Sequence, residues 1–298
     1  MVLIGRILFT FVIATLSISL WSVQKTFAVE NVPPTKGLTM SPLRVELEIE
    51  PGRSLDRTVK LINYSDSRMD IHMSAEKFSV IDQNYDYAFN AESDTAKWIN
   101  FAQDDIQLES GKSVKVPYTI GVPANAEPGG RYLSLFATTD ARVGDNGVQT
   151  RQRVASLLYI TVKGDVTRSG QVVSLTSPWL VSGPDAWNVV QRNTGTTHYR
   201  SRYTVTIKNP ITNETAASSS GDALILPGTV RLVTSELPVP ELPGVYKVDY
   251  LIGLGDTPAV TITRYLVYLP QWAMAVGIIA ITIFIIWTIR KLLRKKIK

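Results

Sequence analysis

Apolar and polar residues alternate at period two through most of the middle of the chain. Arg44-Val45-Glu46-Leu47-Glu48-Ile49-Glu50 carries a charge at every second position, the pattern of a strand with one face in a core and the other in water. Pro51-Gly52 supplies a turn, and the next run opens at 58–63. Further strand candidates are 69–75, 113–122 after the Ser110-Gly111 turn, 132–138 and 155–162. A second series begins near Asp165 and comprises 171–174, 187–192, 203–208, 223–226, 229–234, 246–251 and 260–268. Pro227-Gly228 and Pro243-Gly244 punctuate it, and the proline-rich stretch 238–243 reads as a loop, since proline has no N–H for a ladder. No helical period competes between the two ends of the chain. Short strands separated by turns, with no βαβ alternation, predict an all-β fold of two tandem immunoglobulin-like antiparallel β-sandwiches, at 37–164 and 165–268, with the seam at Lys163-Gly164-Asp165. A barrel is the alternative.

The ends have a different pattern. Residues 272–289 are uncharged and apolar, with Trp272 and Trp287 near the two limits, and rise about 27 Å as a helix. The tail 290–298 holds six basic residues, so the positive-inside bias predicts a single transmembrane helix with a cytoplasmic tail and an extracellular N-terminal part. At the other end, Arg6 precedes the apolar segment 7–21, and Thr26-Phe27-Ala28 offers small residues at the cleavage-determining positions. Residues 1–28 therefore read as a secretory signal, the alternative being an uncleaved second anchor.

Charge refines this picture. The whole chain has 31 Lys and Arg against 26 Asp and Glu. Once Arg6, Lys25 and the six basic tail residues are set aside, 23 basic residues face 26 acidic ones and the exported part is mildly acidic. A nucleic-acid partner is discounted, because the basic excess sits in the anchor rather than on a folded domain. There is no cysteine, which removes disulfides, thiolate chemistry and Cys-ligated metal and favours a bacterial cell envelope with one membrane to cross. Asn63-Tyr64-Ser65 and Asn213-Glu214-Thr215 are formal glycosylation sequons, read as chance matches in turns.

Catalytic chemistry is hard to assemble. The two histidines, His72 and His198, fall in different predicted domains, His72 on an exposed strand face and His198 in the turn after Asn193-Thr-Gly-Thr-Thr. Asp104 and Asp105 are adjacent, and neighbours in a strand point to opposite faces rather than across a groove. Gly129-Gly130 and Ser219-Ser220-Gly221 lack the strand-to-helix setting of a phosphate loop or nucleophile elbow. The reading is a protein without catalytic, metal or cofactor sites. One segment invites a binding role: residues 82–101 mix Tyr85, Tyr87, Phe89, Trp98 and Phe101 with acids and amides, as a glycan or peptide groove does. Tyr85, Tyr87, Phe89 and Trp98 are the candidate ligand-binding residues, against the alternative that these rings tuck beneath the sandwich. Trp179 and Trp187 in the second domain admit the same two readings, with core packing favoured.

A family resemblance rests on the order of these features. The signal is followed by a first domain with Leu108-Glu-Ser-Gly-Lys-Ser-Val-Lys-Val-Pro-Tyr-Thr-Ile-Gly-Val-Pro123 and Pro128-Gly-Gly-Arg-Tyr132. The second domain has Gln191-Arg-Asn-Thr-Gly195, and an apolar span with a basic tail closes the chain. This arrangement resembles the WxL-interacting proteins of Gram-positive surfaces over nearly the whole chain. The resemblance implies a membrane-anchored binding or scaffold protein without catalysis, whose first domain engages cell-wall peptidoglycan or surface proteins and whose second meets host or partner proteins. Two other readings remain open: an assembly chaperone that completes another chain's sheet by strand addition, and an envelope glycan hydrolase.

Overall fold

The alternation at 44–50 becomes the strand Arg44–Ile49, which turns Val45, Leu47 and Ile49 into a core and Glu46 and Glu48 away from it. In the computed structural model the described residues are 37–143 and 149–295, so the signal at 1–28 and the last three residues of the basic tail lie outside them. Two immunoglobulin-like β-sandwiches stand in tandem, followed by one apolar helix.

The first sandwich packs a sheet ordered Leu38–Ser41, Ser54–Asn63, Ser113–Gly121, Ile99–Phe101 against a larger one. The larger sheet is ordered Arg44–Ile49, Arg153–Val162, Gly129–Thr139, Met69–Val80, Tyr87–Asn90, with Asp105–Leu108 also on Met69–Val80. Leu61, Val116 and Ile120 from one sheet meet Leu133, Leu135, Leu158 and Ile160 from the other, all fully buried. In the second sandwich a three-stranded sheet (Gly170–Thr176, Asp185–Asn193, Val230–Leu237) faces a five-stranded one. The latter is ordered Leu180–Val181, Thr257–Tyr268, Gly244–Leu254, Tyr199–Lys208, Thr215–Ile225. Trp187 and Val189 pack there against Val205, Val248, Tyr250 and Ile252.

Two pairings depart from an all-antiparallel expectation. Arg44–Ile49 runs parallel to Leu157–Val162, and Leu180–Val181 runs parallel to Val267–Tyr268. Both are edge additions made by a strand that leaves one sheet and joins the facing one, which lets the sandwich close its open side without a hairpin. Residues 82–101 are also more regular than their composition suggests: the strand Tyr87–Asn90, a 3-10 turn Asp94–Trp98 and the strand Ile99–Phe101 follow one another.

Several motif residues have structural duties. Asn63, formally a sequon, is fully buried and spends its amide on Ser67 O at 2.8 Å and Leu108 O at 3.0 Å. Asn193 does the same in the second sandwich, donating to Thr197 O at 3.0 Å and Ile225 O at 2.7 Å while its Oδ1 accepts from the Gly195 N–H at 2.8 Å. Gly130 is needed for close approach, because a Cβ there would sit 2.1 Å from the Tyr132 hydroxyl.

The helix spans Gln271–Lys295, and its segment Gln271–Leu292 has a mean hydropathy of 2.3. Twenty-two residues rise about 33 Å, enough to cross a bilayer core. Its two central hydroxyls are satisfied within the helix, Thr282 on Ile278 O and Thr288 on Phe284 O, both at 2.8 Å, as a lipid environment requires.

Candidate functional site

The aromatic segment leads to the junction between the sandwiches. Tyr85 is only 6% exposed and holds a left-handed backbone, φ 71°. Its hydroxyl meets Thr229 Oγ1 at 2.9 Å and accepts the Leu226 N–H at 2.7 Å, while the Arg231 guanidinium stands 4.2 Å above its ring. Two residues earlier, Gln83 O accepts the Leu232 N–H at 2.8 Å. Tyr87 lies against Phe78 with ring centroids 5.3 Å apart, and Phe78, Tyr132 and Tyr159 pack with Leu224 and Leu226 of the second sandwich. Phe89, partly exposed, touches Phe136 at 5.0 Å. Trp98 stands apart, packed on the core of the first sandwich from its 3-10 turn. The structure thus brings Tyr85, Tyr87 and Phe89 together around Phe78 and leaves Trp98 elsewhere; Tyr85 clamps the two sandwiches.

Opposite this clamp is a polar cleft of about 490 Å³, lined by Glu46, Glu48, Arg168, His198 and Arg200 among others. Arg168 pairs with Glu48 at 2.5 Å, and Arg200 pairs with both Glu46 and Asp222. The polar face of Arg44–Ile49, which alternation assigns to water, is therefore the face that grips the second sandwich. Thr161 Oγ1 and Thr197 Oγ1 lie 2.9 Å apart, and Gly130 N–H donates to Thr196 O at 3.1 Å. His198 is buried, with Nδ1 3.3 Å from the Tyr132 hydroxyl and its ring 5.7 Å from that of Tyr159. Four of its charged groups, Glu46, Glu48, Arg168 and Arg200, are engaged in ion pairs that bridge the two sandwiches, and Arg202 and Asp256 complete the charged lining.

Two expected outcomes follow from this junction. Tyr85→Phe leaves the Leu226 N–H without its acceptor, while the Thr229 hydroxyl keeps its bond to Leu226 O, and urea unfolding should show a loss of about 1–3 kcal/mol; no change would mean the clamp is incidental. The second concerns pH. Burial pulls the His198 imidazole down to about 4 from its ordinary 6.5; Glu46 and Glu48 oppose this, and Arg168 and Arg200 add to it. The unfolded chain then binds the extra proton first, so stability is complete above pH 6.5 and declines as pH falls toward 4, by about 3 kcal/mol for this group. Unfolding at pH 7.5 and 4.5 should show the decline shrinking in His198→Asn, while an equal decline in both proteins would discard His198 as its source.

A second feature lies at the far edge of the five-stranded sheet. Thr257–Tyr268 pairs along its length with Gly244–Leu254 on one side. On the other side, among the described residues, only Val267 and Tyr268 find a strand, and Val267 N–H donates to Trp179 O at 2.8 Å. By the alternation of a strand, the N–H and C=O groups of Thr261, Thr263 and Tyr265 point the same way as those of Val267. Among the described residues no strand meets them; the Arg264 side chain reaches only Thr263 O, at 3.3 Å. The stretch Ala259-Val-Thr-Ile-Thr263 is uncharged and rich in β-branched residues, and Thr261, Thr263 and Tyr265 are exposed. Pro258 and Arg264 bound it, as residues that limit indiscriminate pairing do at natural sheet edges. His72, with Nδ1 2.8 Å from Asp105 Oδ1, is exposed and belongs to neither feature.

No family model matches the chain, and no curated protein matches it. Solved structures do. A chain from the chaperone–tip adhesin complex of CFA/I fimbriae biogenesis aligns at 10% identity and TM-score 0.42, covering 78% of this chain and 99% of that one. The class 5 fimbriae chaperone CfaA aligns at 11% and 0.41, covering 78% and 100%. A chain of the CsuC–CsuE chaperone–tip adhesion subunit pre-assembly complex of Acinetobacter baumannii aligns at 12% and 0.37, covering 77% and 97%. At such scores nothing about partners or activity transfers to this chain.

Proposed function

We propose that this chain is a membrane-anchored, extracytoplasmic protein that holds another polypeptide by strand addition and performs no catalysis. The observation that supports it is the outer edge of Thr257–Tyr268, which from Thr261 to Tyr265 meets no strand among the described residues. A row of outward N–H and C=O groups on an uncharged, β-branched strand binds an extended segment through main-chain ladders, with alternate side chains supplying selectivity. The locked junction contributes by presenting this edge at a constant angle. Apolar helix Gln271–Lys295 supplies the anchor and its basic end the inside signal.

The resemblance to WxL-interacting proteins adds peptidoglycan and surface proteins as partner classes, and an exposed strand edge favours the protein. The deciding experiment uses the full chain in lipid nanodiscs as bait for purified cell-wall sacculi and, separately, for envelope proteins. Strand addition predicts retention of protein and no enrichment of sacculi, whereas sacculus binding that survives blockage of the edge would replace this reading. The anchor has its own test: a chain ending at Pro270 keeps both cores, so it should appear folded in the medium. Retention of that form in membranes would mean that another segment holds it.

A further inference from the structure

The two ends of the second sandwich are unlike. At one end Thr196, Thr197 and Thr229 meet the first sandwich or its loops. The registers place four features at the other end. They are the connection from Thr176 to Asp185, the turn between Lys208 and Thr215, the loop between Leu237 and Gly244, and the exit of the chain at Tyr268. Each of the three connections carries a large apolar side chain held out into solvent: Trp179 is 71% exposed, Ile211 89% and Leu242 67%. Beside them Leu180, Val267 and Val245 sit abreast on three neighbouring strands, with Leu180 and Val245 also exposed.

We propose that this end of the second sandwich docks on the lipid surface, with Trp179, Ile211 and Leu242 inserted at the boundary between headgroups and acyl chains. The occupant follows from chain connectivity. Only Leu269 and Pro270 separate Tyr268 from the apolar helix that begins at Gln271, about 10 Å of chain when fully extended. Loops at the same end as Tyr268 are therefore tethered at the interface where amphipathic aromatic and aliphatic side chains gain most. The attraction is apolar rather than electrostatic: Glu214 and Glu241 flank the loop tips, and Lys208 and Lys247 are both engaged by Asp249. Docking limits the swing of the sandwich on its short tether and holds the open edge of Thr257–Tyr268 at a set height above the bilayer. This inference rests on the anchoring reading.

The absence of cysteine makes the test direct. Trp179→Cys, Ile211→Cys and Leu242→Cys are each made in the full chain, spin-labelled and reconstituted in phosphatidylcholine vesicles. Oxygen and nickel-chelate collision rates are then compared with those of Ile81→Cys, an exposed site on the first sandwich (69%), and Ile281→Cys in the helix. A several-fold higher oxygen-to-nickel ratio at the three tips than at Ile81, unchanged when anionic lipid is added, supports docking. Tip ratios equal to that of Ile81 while Ile281 is lipid-buried overturn docking and leave the anchor intact. A water-accessible Ile281 overturns the anchor and docking with it. Spin–spin broadening at the tips that disappears on dilution with unlabelled chain overturns docking in favour of a contact between copies.

Discussion

Alanine in place of Trp187 is expected to remove about 3–5 kcal/mol of folding free energy. The indole is fully buried at the centre of the second core, with ring centroids 5.4 Å from Tyr203 and 5.0 Å from Tyr250. Truncation leaves a cavity between two sheets that cannot close it, because Tyr203 and Tyr250 are each fixed in a strand paired on both sides. Tyr250 belongs to Gly244–Leu254, the strand that supports the open edge, so partner binding should fall in parallel with the folded fraction. Trp187→Phe is the control. It keeps most of the ring volume and removes an indole N–H that has no hydrogen-bond partner among the described residues, so it should lose less than half as much. Denaturant unfolding followed by circular dichroism measures both, and a loss below about 1 kcal/mol for the alanine variant would deny the second core its dependence on this ring.

Proline at position 261 should abolish partner binding while leaving the fold nearly untouched. The Thr261 N–H points outward, so no bond of the existing ladder is lost, and an edge strand tolerates proline on its solvent side. The same substitution deletes a donor at the centre of the exposed row and sets the bulk of a pyrrolidine ring where an incoming strand must lie. Thr261→Val is the companion variant: it alters the side chain and keeps the N–H, and binding should persist. Loss in both variants, or in neither, would point away from main-chain pairing.

The architecture was legible because burial in a sandwich is written at period two, as Val45-Leu47-Ile49 and Tyr246-Val248-Tyr250-Ile252 show. The strand Thr215–Ile225 was visible only in its last residues. Its first part, Thr-Ala-Ala-Ser-Ser-Ser-Gly-Asp, lies at a sheet edge with little to bury and so lacks the aliphatic signal. Glu46 and Glu48 show the other limit, since a polar face against a second sandwich has the same period as a polar face against water. Tyr85 stood out by composition, yet its partners Leu226 and Thr229 are more than 140 residues away, and no local pattern reports such a meeting. His198 looked like an ordinary turn residue for the same reason. The open edge was illegible because edge status depends on which strand fails to arrive. The apolar helix was plain, as a long uncharged run without proline shows its extent from composition alone.

Amide hydrogen exchange at Thr261, Thr263 and Tyr265, read in the full chain free and with its captured partner, bears most directly on strand addition. These three N–H groups face outward with no ladder partner among the described residues, so strand addition predicts fast exchange in the free protein and strong slowing in the complex, with little change at Ile262 and Arg264, which already pair with Tyr250 and Val248. Fast exchange at all three positions in a complex that is nonetheless formed would contradict it.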